Sequence, residues 1–308
     1  MKKLLLVFTI CVLLVLSFTL CACSQKDIDN ALVSYDERVN NCKTQIEQMT
    51  DFKPDIVIVL GTALGNYVNS LTVKKTIPYK DINGWPVSTA PTHAGNLVFA
   101  EYKGLKLAIM QGRLHYYEGY TPQEVVLPLR VLHALGAKTV IISNAVGSLN
   151  PDFRPGEFVC VKDQISSFAP SPLIGQDYEN YGPRFVGMVN AFDQTLQNTV
   201  LQLGQTLNIP VHSGIYLQVT GPQYETPTEI KMYRSLGADT IAMSMCDEVL
   251  AARQMNMKVC GINCITNMGA GMEEVDFSED SIEETSQEMV QNFVKLVNGL
   301  LDTLAVNN

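Results

Sequence analysis

Within the eleven residues MQGRLHYYEGY, Met110 to Tyr120, stand an arginine, a histidine, three tyrosines and a glutamate, with glycines at 112 and 119. A guanidinium fork matches the oxygens of a phosphate, and an imidazole nearby adds a further hydrogen bond. Alternation along an extended segment puts Arg113, His115 and Tyr117 on one side. The plain alternative is a surface loop in which Arg113 pairs with Glu118. A second candidate is GTALG, Gly61 to Gly65. Its small residues let backbone amides approach an anion, and the Thr62 hydroxyl can donate to it. It is neither a full GxGxxG nor a P-loop, so a simple tight turn remains open. His93, in APTHAGNLVF, is a third candidate.

The elements that must position these groups are legible as short apolar runs ending in small or polar residues. DIVIVLG, KLAIMQG, TVIISNAVG, GIYLQVTG, TIAMS and VCGINCITN each read as a strand leading into a loop. Helical spacing is expected over residues 35–50, 124–135, 185–203, 226–236, 246–255 and 281–304, with Pro128 kinking the second. Strands alternating with helices predict one α/β domain with a parallel or mixed central sheet flanked by helices. Ligands in such folds gather beyond the carboxyl ends of the strands, where the unusual residues of this chain accumulate.

The 308 residues are 46% hydrophobic and 17% charged, enough apolar content for one large core. A formal charge of −9 argues against a nucleic-acid partner, which needs a basic face. The N-terminus breaks the globular pattern: Lys2 and Lys3 precede an apolar run from Leu4 to Leu20. This reads as an export signal over residues 1–22. Leu20, Ala22 and Cys23 resemble the lipobox of bacterial lipoproteins, which implies a lipid on Cys23 and a tether over 23–34. An uncleaved anchor is the alternative. The chain is thus expected outside the cell, lipid-anchored to the outer face of the cytoplasmic membrane or on the periplasmic side. Five cysteines remain, at 42, 160, 246, 260 and 264, an odd and irregular set that predicts buried free thiols. No spacing suggests a metal site.

Taken in order, GTALG, THAGNLVF, MQGRLHYYEGY, NAVGSLN, GPQYETPTE, LGADTIAMS and ITNMGAG resemble the trimeric class of purine nucleoside phosphorylases across roughly residues 35–305. The resemblance implies their single-domain fold, a homotrimer, and cleavage of inosine- or guanosine-type (deoxy)ribonucleosides by phosphate for purine salvage. Inorganic phosphate is then a co-substrate, and neither cofactor nor metal is implied. Carried over by residue, Thr62, His93, Arg113, His115, Ala145 and Ser244 surround the phosphate. Tyr117 and Met243 contact the sugar, Tyr224 packs near the nucleoside, and Glu225 and Asn267 read the purine. Asn267, Glu225 and His115 carry the catalytic roles. Read as residues alone, Glu225 would equally cap the helix near Pro227, and Asn267 would equally form a turn before Gly269.

Two stretches depart from the family pattern. Where a histidine usually meets the ribose 5′-hydroxyl stands Glu279, and where His and Asn are common stand Gln164 and Ser166. Phe168, close by, is a candidate contribution to a neighbouring subunit's pocket. Two alternatives follow: an exported nucleoside-binding lipoprotein without turnover, and a methylthioadenosine-type phosphorylase. The latter relatives carry aspartate where this chain has Asn267.

Overall fold

The computed structural model describes residues 33–306 apart from 63, 91–92, 176–178 and 274–278, and its side chains apart from those of 279–288 as well. Cys23, the export signal, most of the tether and the Glu279 side chain therefore lie outside the described residues. Among the described residues nine strands form one mixed sheet: β1 (Ile56–Val59), β2 (Thr72–Pro78), β3 (Asn96–Tyr102), β4 (Leu105–Gln111), β5 (Thr139–Ser148), β6 (Phe158–Ile165), β7 (Val211–Gln218), β8 (Thr240–Ala242) and β9 (Lys258–Met268). Their order is β2-β3-β4-β1-β5-β8-β7-β6-β9, and β5 also pairs with β9, so five strands close on themselves.

Among the described residues six helices flank the sheet: α1 (Tyr35–Met49), α2 (Pro122–Ala134), α3 (Gln194–Leu207), α4 (Pro227–Ser235), α5 (Cys246–Gln254) and α6 (Glu279–Val306). The two-sided cover explains why β1 reads as an unbroken apolar run. Val57 and Val59 face a core built with α1, α2 and α5. Ile56 and Ile58 face a second core under α3 and α6, where Met289, Phe293, Leu296, Val297, Leu300 and Leu301 are buried. The five cysteines at 42, 160, 246, 260 and 264 are free and buried, as expected.

Capping sets several helix starts. Ser34 with Glu37, Thr121 with Glu124 and Thr226 with Glu229 each form a reciprocal capping box. The helix expected from 185 instead starts at Gln194, where Asp193 accepts the Leu196 amide. Pro183 and Gly187 interrupt the apolar spacing upstream, and Asn190 sits at φ 58°, outside helical space. Pro128 lies inside α2, which runs unbroken from 122 to 134. Strands β2, β3 and β6 are not among those expected from the sequence. β2 is an edge strand with five exposed residues at its start, so it lacks the alternation that marks a half-buried strand.

Candidate active site

The carboxyl ends of β1, β4, β5, β8 and β9 meet around one cleft of about 180 Å³ that opens to solvent. Thr62, His115, Tyr117, Ala145, Tyr224, Glu225, Met243, Ser244 and Asn267 all line it. These nine come from segments far apart in sequence, so their convergence is a result of the fold. Arg113 and His93 do not line the cleft; they stand directly behind it.

Arg113 is 1% exposed and reaches the cleft through Ser244, whose Oγ accepts from Nη1 at 2.9 Å. Nη2 donates to the Ser143 carbonyl. Ser244 Oγ in turn donates to Asn144 Oδ1 at 3.1 Å. The pairing of β5 with β8 brings this about: Gly147 faces Ile241, and the antiparallel run continued by three residues sets Asn144 beside Ser244. Arg113 therefore does not pair with Glu118. The carboxylate facing it is Glu248, with Oε1 3.8 Å from Nε.

Glu118 has another partner. The turn Tyr116–Glu118 folds it back so that Oε1 accepts from both the amide and Nδ1 of His115, each at 2.8 Å. Its Oε2 accepts from the Thr89 amide and hydroxyl. Burial pushes the Glu118 carboxyl up, but the bonds from His115 and Thr89 outweigh it and bring it down to about 2. Glu118 is thus ionised and fixes His115 through Nδ1, leaving the other ring nitrogen for a ligand. Burial also holds His115 below its ordinary value, so its ring is neutral near pH 7.

Behind His115 the rings of His93, His115 and Tyr117 form a stack, with centroid separations of 5.1 and 4.6 Å. Gly112 makes the stack possible. Its φ is 106°, and a Cβ there would lie 2.7 Å from that of His93. His93 Nδ1 rests against the Arg113 backbone, while Nε2 is buried with no hydrogen-bond partner among the described residues. Burial and the neighbouring His115 lower the His93 pKa to about 4, so it too is neutral. A buried, unpartnered ring nitrogen this close to the cleft suits a ligand or water that completes it.

At the opposite end, Asn267 continues β9 beside Gly147. The turn alternative for Asn267 does not hold. Oδ1 accepts from the Thr266 hydroxyl at 2.9 Å and Nδ2 donates to the Met268 carbonyl at 3.0 Å. One amide proton and one lone pair stay available, enough to donate to and accept from a heterocycle. Gly147 allows the close approach: a Cβ there would lie 3.2 Å from Asn267 Nδ2. Glu225 is likewise released from capping, because Thr226 and Glu229 cap α4 instead. Burial, with Glu229 nearby, raises the Glu225 carboxyl above its ordinary range.

Sequence reasoning missed Asn144, Thr266, Glu118 as the partner of His115, and Glu248. Of the departures, Gln164 is part-buried and both its amide atoms lack a partner among the described residues. Phe168 is 38% exposed and packs edge-on against Tyr233 of its own chain at 5.1 Å.

The arrangement can hold an oxyanion at one end, a polar heterocycle at the other, and a sugar-sized group against Tyr117 and Met243 between them. The sequence model of the phosphorylase superfamily matches residues 55–302. Purine nucleoside phosphorylase 1 of Bacillus subtilis is 37% identical over 265 residues, covering 86% of this chain and 98% of that protein. The purine nucleoside phosphorylase of Bos taurus is 38% identical over 225 residues, covering 71% and 77%. Among solved structures, Schistosoma mansoni purine nucleoside phosphorylase in complex with inosine superposes with a TM-score of 0.81 at 32% identity, covering 86% of this chain and 95% of that one.

Proposed function

This chain belongs to the phosphorylase superfamily and within it to the purine nucleoside phosphorylases, and from that premise we propose how its cleft divides the work of the reaction. The enzyme exchanges the base of an inosine- or guanosine-type (deoxy)ribonucleoside for phosphate, releasing free purine and α-(deoxy)ribose 1-phosphate. Phosphate rests on Thr62, His115, Ala145 and Ser244, with Arg113 and His93 supplying donors from behind. Tyr117 and Met243 hold the sugar, Tyr224 covers the nucleoside, and Glu225 and Asn267 take the base.

A phosphate oxygen attacks C1′ from the face opposite the base, and the C1′–N9 bond breaks with its electron pair passing to the purine. The sugar gains positive character as the bond stretches. The phosphate held close to it is both the nucleophile and a compensating anion. Asn267 donates to the departing base, which stabilises the charge it collects. Attack from the opposite face inverts C1′. No covalent intermediate and no cofactor enter this scheme. The observation that carries it is the Arg113–Ser244–Asn144 chain, whose serine and asparagine lie on the cleft wall across the same cavity from Glu225 and Asn267.

Glu225 supplies a test through pH. It offers both oxygens to the purine as charged acceptors only when ionised, and its pKa lies above the ordinary 4.5. Protonation on the acid side therefore removes an acceptor, and kcat/KM for inosine falls as pH drops through that raised value. Glu225→Gln is expected to lower kcat/KM at pH 7 by about 10- to 100-fold, the worth of a charged hydrogen bond, and to abolish this acid limb. An unchanged pH profile in the variant would remove Glu225 from base recognition.

We propose further that the chain is exported and lipid-anchored at Cys23, supported by the Lys2–Lys3 start, the apolar run and the Leu20–Cys23 motif. Cys23→Ser is expected to abolish incorporation of labelled fatty acid; continued labelling would place the anchor elsewhere. A homotrimer is the proposed assembly. It is supported by the resemblance to the trimeric class and by the exposed apolar Ile174, Phe185 and Val189, which a monomer would leave in water.

A further inference from the structure

Arg113 is a permanent cation with 1% of its surface exposed, and such a group is costly to bury without a partner. Two of its nitrogens reach only neutral acceptors, the Ser244 hydroxyl and the Ser143 carbonyl. Its Nε has no hydrogen-bond partner among the described residues and faces Glu248 Oε1 at 3.8 Å. Glu248 is 2% exposed and does not line the cleft. Its other oxygen, Oε2, accepts the Met245 amide at 3.0 Å. Met245 links Ser244 to α5 with φ 91° and ψ −49°, a conformation that a non-glycine residue holds only under constraint. One carboxylate thus serves both halves of the anion site: it faces the arginine and pins the turn that follows the serine.

On the reading that Arg113 and Ser244 hold phosphate, we propose that Glu248 is a positioning residue that acts as the resident counter-ion of Arg113 and weakens the hold of the site on phosphate and sugar phosphate. Between turnovers Glu248 compensates the guanidinium. When phosphate arrives, the carboxylate remains close by and opposes the second anion, which keeps binding reversible and lets the phosphorylated product leave. Neighbouring Asp247 is 3% exposed, and burial, with Glu248 close by, raises its carboxyl to about 7. The sign of the effect separates this role from a structural one. A carboxylate that only builds the site would weaken phosphate binding when lost, whereas loss of a counter-ion strengthens it.

The discriminating variant is Glu248→Gln, which keeps an oxygen for the Met245 amide and removes the charge. Its KM for inorganic phosphate is expected to fall about tenfold, the size of one charge acting across several ångströms of protein, with KM for inosine within about twofold. Added phosphate should also raise its melting temperature more than it raises that of the parent chain. A phosphate KM that is unchanged or higher overturns the proposal. Stability gives a second measurement if Glu248→Gln folds poorly. Arg113→Gln and Glu248→Gln each strand one buried charge, so the double variant should melt above either single one. A double variant no more stable than the worse single variant would assign Glu248 to the turn alone. If Arg113→Gln leaves phosphate KM untouched, the phosphate site itself is misplaced. If it raises that KM while Glu248→Gln does not lower it, only the counter-ion role fails.

Discussion

Arg113→Ala is expected to lower kcat/KM for phosphate by about 10³-fold, the loss typical of removing one strong preorganised donor from a site of developing charge. The arginine reaches the cleft through Ser244, and the residue beyond that serine is Asn144, joined to it at 3.1 Å. Removing the side chain unties the serine from its donor and leaves the phosphate without a cation at its back. Nucleoside binding should change by less than about threefold, because Glu225 and Asn267 are untouched at the other end. Initial rates at varied phosphate, together with calorimetric inosine binding, separate the two effects. A variant that keeps its phosphate KM would place the anion elsewhere in the cleft.

Asn267→Ala carries the second large effect and should divide in the opposite way. Its amide donates where the purine gathers charge, an interaction that grows as the C1′–N9 bond breaks. kcat is expected to fall by about 10²- to 10³-fold while KM for phosphate stays near that of the parent chain. Asn267→Asp removes the donor and keeps an acceptor, so it should shift preference from inosine toward adenosine, whose 6-amino group donates. Thr266 matters here because its hydroxyl holds Asn267 Oδ1 and so fixes which end of the amide carries the free proton. Comparing inosine with adenosine for both variants checks the assignment. Equal losses on the two substrates in Asn267→Asp would detach the residue from base selection.

The wall of the cleft is easier to read from the sequence than the layer behind it. Strand ends such as ISNAVG and ITN are legible because apolar runs stop abruptly at polar or small residues, and those stops form the cleft wall. Side chains that touch the cleft also carry recognisable chemistry. The supporting layer has no such mark. Glu118 reads as a partner for Arg113 because the two are close in the chain, yet a short helical turn folds it under His115. Glu248 and Arg113 lie 135 positions apart and are joined only by the fold, through the arrival of α5 behind β8. No local spacing marks such a pair. The same limit applies to β2, whose exposed edge carries no alternation, and to residues 185–193, where apolar content alone resembles a helix. The lipid on Cys23 and the 5′ contact at Glu279 stay as sequence-based proposals, since both fall outside the described side chains.

The most direct measurement incubates the purified mature chain with inosine, with and without inorganic phosphate, and follows hypoxanthine by absorbance and phosphorus by magnetic resonance. The account predicts no base release without phosphate. With phosphate present, hypoxanthine and α-ribose 1-phosphate should appear in equal amounts. Hypoxanthine released at the same rate in the absence of phosphate, or inosine bound and never cleaved at saturating phosphate, would contradict it.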